Sequence, residues 1–81
     1  MTAANPPTIE ELRPRWGARI RAERQRLKMT QEQLAKRTGV SQATISAIEN
    51  GIYDGRFATR YAIERELGLT SPELPDEEAA S

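Results

Sequence analysis

The sequence predicts an all-α domain of four to five short helices packed as one compact unit, and three observations carry that expectation. Apolar residues recur at spacings of three, four and seven along several segments, the period of a helix with one buried face. Glycine followed by an apolar residue occurs at Gly39-Val40, Gly51-Ile52 and Gly68-Leu69, each the mark of a helix that stops in a left-handed residue and folds the next side chain back on itself. At 81 residues and without internal repeats the chain has room for one domain, which hides only roughly 60% of the surface its unfolded form exposes.

Residues 1–8 are small, polar and proline-containing, and the stretch 1–12 is expected to be disordered or a short arm ahead of a domain at 13–74. Thr8 has the type and spacing to cap a turn through Glu11, but a helix begun there would hold Pro14 inside it, where the ring breaks the hydrogen-bond ladder. The first helix is therefore expected to open at Pro14, as its first helical residue, and to run to about Lys28 with Trp16, Ile20 and Leu27 on one face. Gly17 within it costs up to ~1 kcal/mol against alanine. The other faces are basic, with Arg13, Arg15, Arg19, Arg21, Arg24, Arg26 and Lys28 set against Glu23.

Thr30, followed three residues later by Gln33, fits a capping box for the second helix. A helix opened in this way leaves its remaining amides and its positive dipole end free for one phosphate, to which Gln31 can add a side-chain donor. Leu34 and Ala35 give this helix an apolar edge, Gly39 ends it, and Ser41 is free to cap the third. In the third helix Ile45 and Ile48 lie three apart and face the same way, while Gln42, Ala43, Ser46 and Ala47 fall on other faces. One apolar stripe under a surface of small uncharged side chains suits a helix that lies against a flat partner and hydrogen-bonds to it.

The loop 52–55 carries Tyr53 and Asp54, and Asp54 is expected to cap a fourth helix whose core face is Phe57, Ala58, Ala62, Ile63 and Leu67. Arg56 stands at its start, placed for a phosphate, with the Tyr53 hydroxyl nearby. Thr70, Ser71, Pro72 and Leu74 read as a cap and one turn of a fifth helix, stopped by Pro75, and 75–81 as an acidic disordered tail.

The stretch 31–50 resembles the helix-turn-helix of the Cro and phage-repressor family, the Xre-type regulators. The match runs through Gln31 at a helix start, the small Ala35, Gly39 at the turn, Ile45 and Ile48 inward, and Glu49-Asn50-Gly51 at the exit. The resemblance implies a lambda-repressor-like domain acting as a sequence-specific regulator of transcription, a repressor, that places its third helix, residues 41–50, in the major groove of double-stranded DNA. On that footing Gln42, Ala43 and Ala47 would read bases. Gln42 can pair with adenine N6 and N7, and the two alanines can offer only methyl groups to thymine.

The phosphate contacts would come from Gln31, Ser41, Thr44, Asn50, Tyr53 and Arg56, with Gln31 also bracing Gln42. Arg24 and Glu49 would form a structural pair across the first and third helices, the alternative for Arg24 being an exposed phosphate contact. The implied partner is a pseudo-palindromic operator with half-sites ~34 Å apart, read by a homodimer. The family's fifth helix often supplies a dimer contact, and here it is only a stub.

Composition narrows the rest. The chain has neither Cys nor His, so structural zinc, thiol chemistry, histidine catalysis and disulfides are excluded together, and no metal or cofactor is expected. An enzyme is not expected: the carboxylates are scattered, Ser41 and Ser46 have no histidine base, and no glycine-rich phosphate loop is present. No apolar run approaches the ~20 residues of a membrane span, and the first eight residues lack the basic and apolar regions of a signal peptide, so the cytoplasm is the expected location.

The net charge is zero, yet residues 13–65 hold all twelve Lys and Arg against five acidic side chains, a local +7 balanced by acidic ends. Because the Debye length at physiological salt is near ~8 Å, such a body can attract phosphate independently of a distant tail. The rival reading is a protein-interaction module, such as an antitoxin or phage accessory protein. In it the acidic C-terminal tail, or the region of Trp16, Leu69 and Leu74, docks on a protein partner.

Overall fold

A computed structural model describes residues 5–69, and within them the chain forms four helices: α1 Ile9–Arg26, α2 Gln31–Thr38, α3 Gln42–Glu49 and α4 Phe57–Glu66. The fifth-helix stub, the acidic tail and the first residues of the arm lie outside the described residues. No described helix is long and apolar enough to cross a membrane.

α1 opens at Ile9 and not at Pro14. The Thr8–Glu11 capping box forms: Thr8 Oγ1 accepts from the Glu11 amide at 3.2 Å and Glu11 Oε1 accepts from the Thr8 amide at 2.9 Å. Pro14 therefore lies inside the helix and leaves the Glu10 carbonyl without its intrahelical donor. Both residues are on the exposed side, where that carbonyl can be solvated. The proline also has a partner: a β-carbon at Gly51 would lie 3.0 Å from Pro14 Cα, so the ring sits directly on the turn that follows α3.

Gly17, one turn further, explains why the helix carries a residue of poor propensity. A β-carbon there would stand 2.2 Å from the Ile48 carbonyl oxygen, so only glycine lets α1 lie this close to the end of α3.

At its other end α1 stops at Arg26, and Leu27 is its C-cap, 39% exposed, instead of the last residue of its apolar face. Lys28 adopts φ 59°, and the Lys28 and Met29 amides donate to the Gln25 and Arg24 carbonyls at 2.9 and 3.0 Å. This is a Schellman close with lysine in the place glycine usually takes. It turns Met29 back onto the core in the position expected of Leu27.

The core is Ile20, Leu34, Ile45, Ile48, Ile63 and Leu67, one or two side chains from each helix and its cap, ringed by Trp16, Met29, Ala35, Val40 and Leu69. Five of the six are fully buried, each stabilising the fold by roughly 1.5–3 kcal/mol. α3 packs against both α1 and α2, and α2 also packs on α4. Trp16 joins α1 to α4: its indole N–H donates to Glu64 Oε2 at 2.8 Å, and the Arg60 guanidinium lies 4.8 Å from its ring centre.

The start of α4 differs from expectation. Its N-cap is Arg56, with no side-chain capping bond, while Asp54 sits 3.8 Å from Arg13. Phe57 is 67% exposed and stacks on Tyr61, and Ala58 is exposed as well, so the core face is carried by Ile63 and Leu67. Gly39, Gly51 and Gly68 all take positive φ at the helix ends, as the three glycine–apolar pairs predict. Ile52, however, does not fold back and is 72% exposed.

Candidate nucleic-acid interface

The turn between α2 and α3 is fixed by local bonds. Gly39, at φ 76°, donates its N–H to the Ala35 carbonyl at 2.9 Å. Thr38 completes the turn: its hydroxyl donates to the Leu34 carbonyl at 2.8 Å and accepts from the Val40 amide at 3.2 Å. Ser41 then caps α3, accepting from the Thr44 amide at 3.1 Å and donating to the Thr44 hydroxyl at 2.8 Å. With Ile45 and Ile48 fully buried beneath it, α3 has one possible rotation about its axis. That rotation leaves Gln42 and Ala43 exposed at its opening and Ser46 and Ala47 half-buried along the same helix. Of the three expected base readers, Gln42 and Ala43 share the accessible end and Ala47 is the more recessed.

α2 opens beside the other end of α3, where Gln31 Nε2 reaches Glu49 Oε1 at 3.0 Å. Thr30 Oγ1 accepts from the Gln33 amide at 3.0 Å and Gln33 Oε1 accepts from the Thr30 amide at 2.8 Å. Two of the four opening N–H groups are thereby satisfied, and those of Gln31 and Glu32 have no intrahelical acceptor. The Glu32 carboxylate adds negative charge to this turn, with Lys36 Nζ 3.9 Å from it.

The far end of α3 is held by Glu49, whose buried carboxylate gathers four donors. Arg24 binds it in bidentate fashion, Nε to Oε2 at 2.6 Å and Nη2 to Oε1 at 3.0 Å, and gives Nη1 to the Met29 carbonyl at 2.7 Å. With its side chain 10% exposed, Arg24 is an internal strut and not an open phosphate contact. Gln31 Nε2 donates to Oε1 at 3.0 Å, and Arg21 Nε donates to the same oxygen at 3.3 Å. Gln31 thus braces Glu49 at the end of α3, where the resemblance had it bracing Gln42 at the start.

Burial alone would raise the Glu49 carboxyl. Hydrogen bonds from Arg24 and Gln31, the Arg24 charge and the bond from Arg21 together hold it below the usual carboxylate range. The bond to Glu49 likewise outweighs burial at Arg24 and raises its guanidinium. Both cations lie by the C-terminal turn of α3, the negative end of its dipole.

Asn50, Tyr53 and Arg56, expected at phosphates, are all exposed on the chain leaving α3. Asn50 is not a loose side chain: its Oδ1 accepts from Arg21 Nη2 at 2.7 Å and its Nδ2 donates to Ser46 Oγ at 3.4 Å. Arg21 and Thr38 were not singled out from the sequence. Arg21 stands three residues before Arg24 on α1, the spacing of neighbours on one helix face, and that signal was available. Thr38 carried none beyond its place ahead of a glycine. Among the described residues no cluster of Asp and Glu could hold a metal ion.

The geometry is that of two short helices joined by a glycine turn, the second with a polar tip in the open and its base clamped. A model of the helix-turn-helix family matches residues 20–74. An uncharacterized HTH-type transcriptional regulator of Methanothermobacter thermautotrophicus is 45% identical over 49 residues, which cover 60% of this chain and 71% of that protein. No solved structure matches the chain. With the match embracing α2, the glycine turn and α3, together with the Arg24–Glu49 bridge that joins them to α1, the chain belongs to the Cro/phage-repressor family of helix-turn-helix DNA-binding proteins.

Proposed function

We propose that this chain is a sequence-specific regulator of transcription, acting as a repressor, that lays the opening of α3 in the major groove of double-stranded DNA while α2 crosses the backbone. The observation that carries the reading is the contrast between the two ends of α3: Gln42 exposed at the tip, Glu49 buried at the base with four donated hydrogen bonds. A side chain meant to probe base edges gains from a rigid mount, because the entropy of ordering it is already spent in folding. The relative's description as a transcriptional regulator supports the same reading.

Gln42 has both an amide donor and a carbonyl acceptor, matched to adenine N7 and N6 and worth about 1–3 kcal/mol of discrimination. Ala43 and Ala47 supply methyl surface for thymine. The free amides opening α2, with Gln31, and the side chains of Ser41, Thr44, Asn50, Tyr53 and Arg56 take the flanking phosphates. Such a face carries little direct base information, so one copy discriminates weakly and shape readout contributes. Two copies on a pseudo-palindrome, with half-sites ~34 Å apart, supply the missing specificity. Repression follows where the occupied site overlaps a promoter.

The test is affinity for a random duplex over a salt series, beside selection of preferred sites from a random pool. A steep negative slope of log affinity against log salt is expected, and Gln42→Ala should flatten the site preference while leaving that slope intact. A flat salt response with binding to a protein partner would overturn the reading in favour of an interaction module. Equal loss on every DNA would remove Gln42 from its role.

A further inference from the structure

The clamp at the base of α3 holds more positive charge than its own structure requires. One carboxylate, Glu49, faces two guanidinium groups, and Arg24 alone satisfies it in bidentate fashion, with its remaining terminal nitrogen spent on the Met29 carbonyl. The second, Arg21, is 42% exposed, so the surplus unit of charge lies at the surface. A guanidinium has five N–H donors. Arg21 directs one at Glu49 and one at Asn50, which leaves three without an acceptor among the described residues.

Position makes this surplus useful. Arg21 Nε and Gln31 Nε2 converge on the same atom, Glu49 Oε1, at 3.3 and 3.0 Å. Arg21 is therefore beside the first turn of α2, where the Gln31 and Glu32 amides are open, and is also bonded to Asn50, the residue that closes α3. We propose that Arg21 is a DNA-backbone contact that also orients Asn50, the two acting as one phosphate clamp at the junction of α1, α2 and α3. This rests on the DNA-binding reading above and adds to it a residue and a division of labour.

The chemistry is specific. By taking Asn50 Oδ1 at 2.7 Å, Arg21 fixes the carboxamide so that its acceptor points to α1 and its Nδ2 donors are turned away from it, one of them resting on Ser46 Oγ at the long distance of 3.4 Å. The pair therefore offers only donors to an incoming ligand, a guanidinium edge and an amide N–H, matching the acceptor-only oxygens of a phosphodiester. The guanidinium is tethered before the ligand arrives, so little of its rotamer entropy remains to be lost on binding.

The experiment uses the full chain and a random-sequence duplex, with affinity measured across a salt series for wild type, Arg21→Gln, Arg21→Lys and Arg26→Gln. The last is a control on the same helix, an exposed arginine paired with Glu23. Losing one phosphate contact should lower the steepness of log affinity against log salt by about one unit in Arg21→Gln, on every DNA alike. Arg21→Lys should recover the slope because the charge returns. It should not recover the full affinity, because lysine lacks the fork that holds Asn50.

Asn50→Ala should weaken binding in the wild-type background and have little further effect beside Arg21→Gln. Thermal melts of each variant should show the fold kept, since the Arg24–Glu49 bridge remains. A steep wild-type slope that Arg21→Gln leaves unchanged would overturn the proposal and make Arg21 purely structural. A flat wild-type slope would instead sink the DNA-binding reading itself.

Discussion

Replacing Gly17 with alanine sets helix propensity against packing, and the two predict opposite signs. On an exposed helix the exchange would stabilise the chain by ~1 kcal/mol. Here the new methyl carbon would sit 2.2 Å from the Ile48 carbonyl oxygen and 3.0 Å from that of Glu49. A carbon ordinarily approaches a carbonyl oxygen no closer than about 3.3 Å, so α1 and the last turn of α3 must part by roughly 1 Å.

The obstacle is backbone and cannot rotate aside. The same retreat pulls on the bidentate Arg24–Glu49 bridge further along α1, whose shorter bond is 2.6 Å. Overpacking of this severity belongs near the top of the ~1–3 kcal/mol range, and subtracting the propensity gain leaves a net loss of about 2 kcal/mol. In a domain of this size that lowers Tm by about 8–16 °C. Thermal unfolding followed by the helical circular-dichroism signal reads it directly. A Gly17→Ala protein as stable as wild type, or more so, would show that α1 does not lie on α3 at this distance, and the account of the clamp would go with it.

Other perturbations address the clamp and the start of α1. Glu49→Ala leaves the buried Arg24 guanidinium without its counter-charge and should cost about 3–5 kcal/mol in urea unfolding; a loss below ~1 kcal/mol would mean that the bridge is not buried in solution. Acid acts on the same group. Because the folded Glu49 carboxyl lies below its ordinary value of 4.5, the stability it contributes is complete above that pH and disappears as pH falls through the lower, folded value. Stability measured from pH 7 to pH 2 should therefore fall more steeply in wild type than in Glu49→Gln, and parallel curves would remove Glu49 as the source. Thr8→Ala breaks the capping box ahead of Pro14 and should cost about 1 kcal/mol, with faster hydrogen exchange confined to the first turns of α1. Unchanged exchange there would show that the turns before Pro14 do not depend on the cap.

Much of the motif could be read without coordinates because its signals are local. A capping box needs only Thr30 and Gln33, an N-cap only Ser41 and the Thr44 amide, and a helix stop only a residue free to take positive φ, as Gly39, Gly51 and Gly68 do. Ile45 and Ile48 report their own burial through a three-residue spacing on a helix whose other faces are small and polar. Local signals conflict at Thr8, whose cap forms although Pro14 follows it inside the helix. The penalty for an internal proline is local, but what offsets it, the cap before it and the Gly51 turn beneath it, is only partly so.

By itself, then, the sequence determined which segments are helical near the turn, where they stop, and that Gln42 heads the third of them. Tertiary structure decided everything that depends on what lies across a helix. It placed Gly17 against the carbonyls of α3, exchanged Leu27 for Met29 in the core, left Phe57 outside, and gave Arg24, Arg21 and Gln31 a common acceptor in Glu49. Spacing along one helix says which residues share a face. Only the packed neighbour says whether that face meets oxygen, hydrocarbon or water, and the free energy of each side chain turns on that difference.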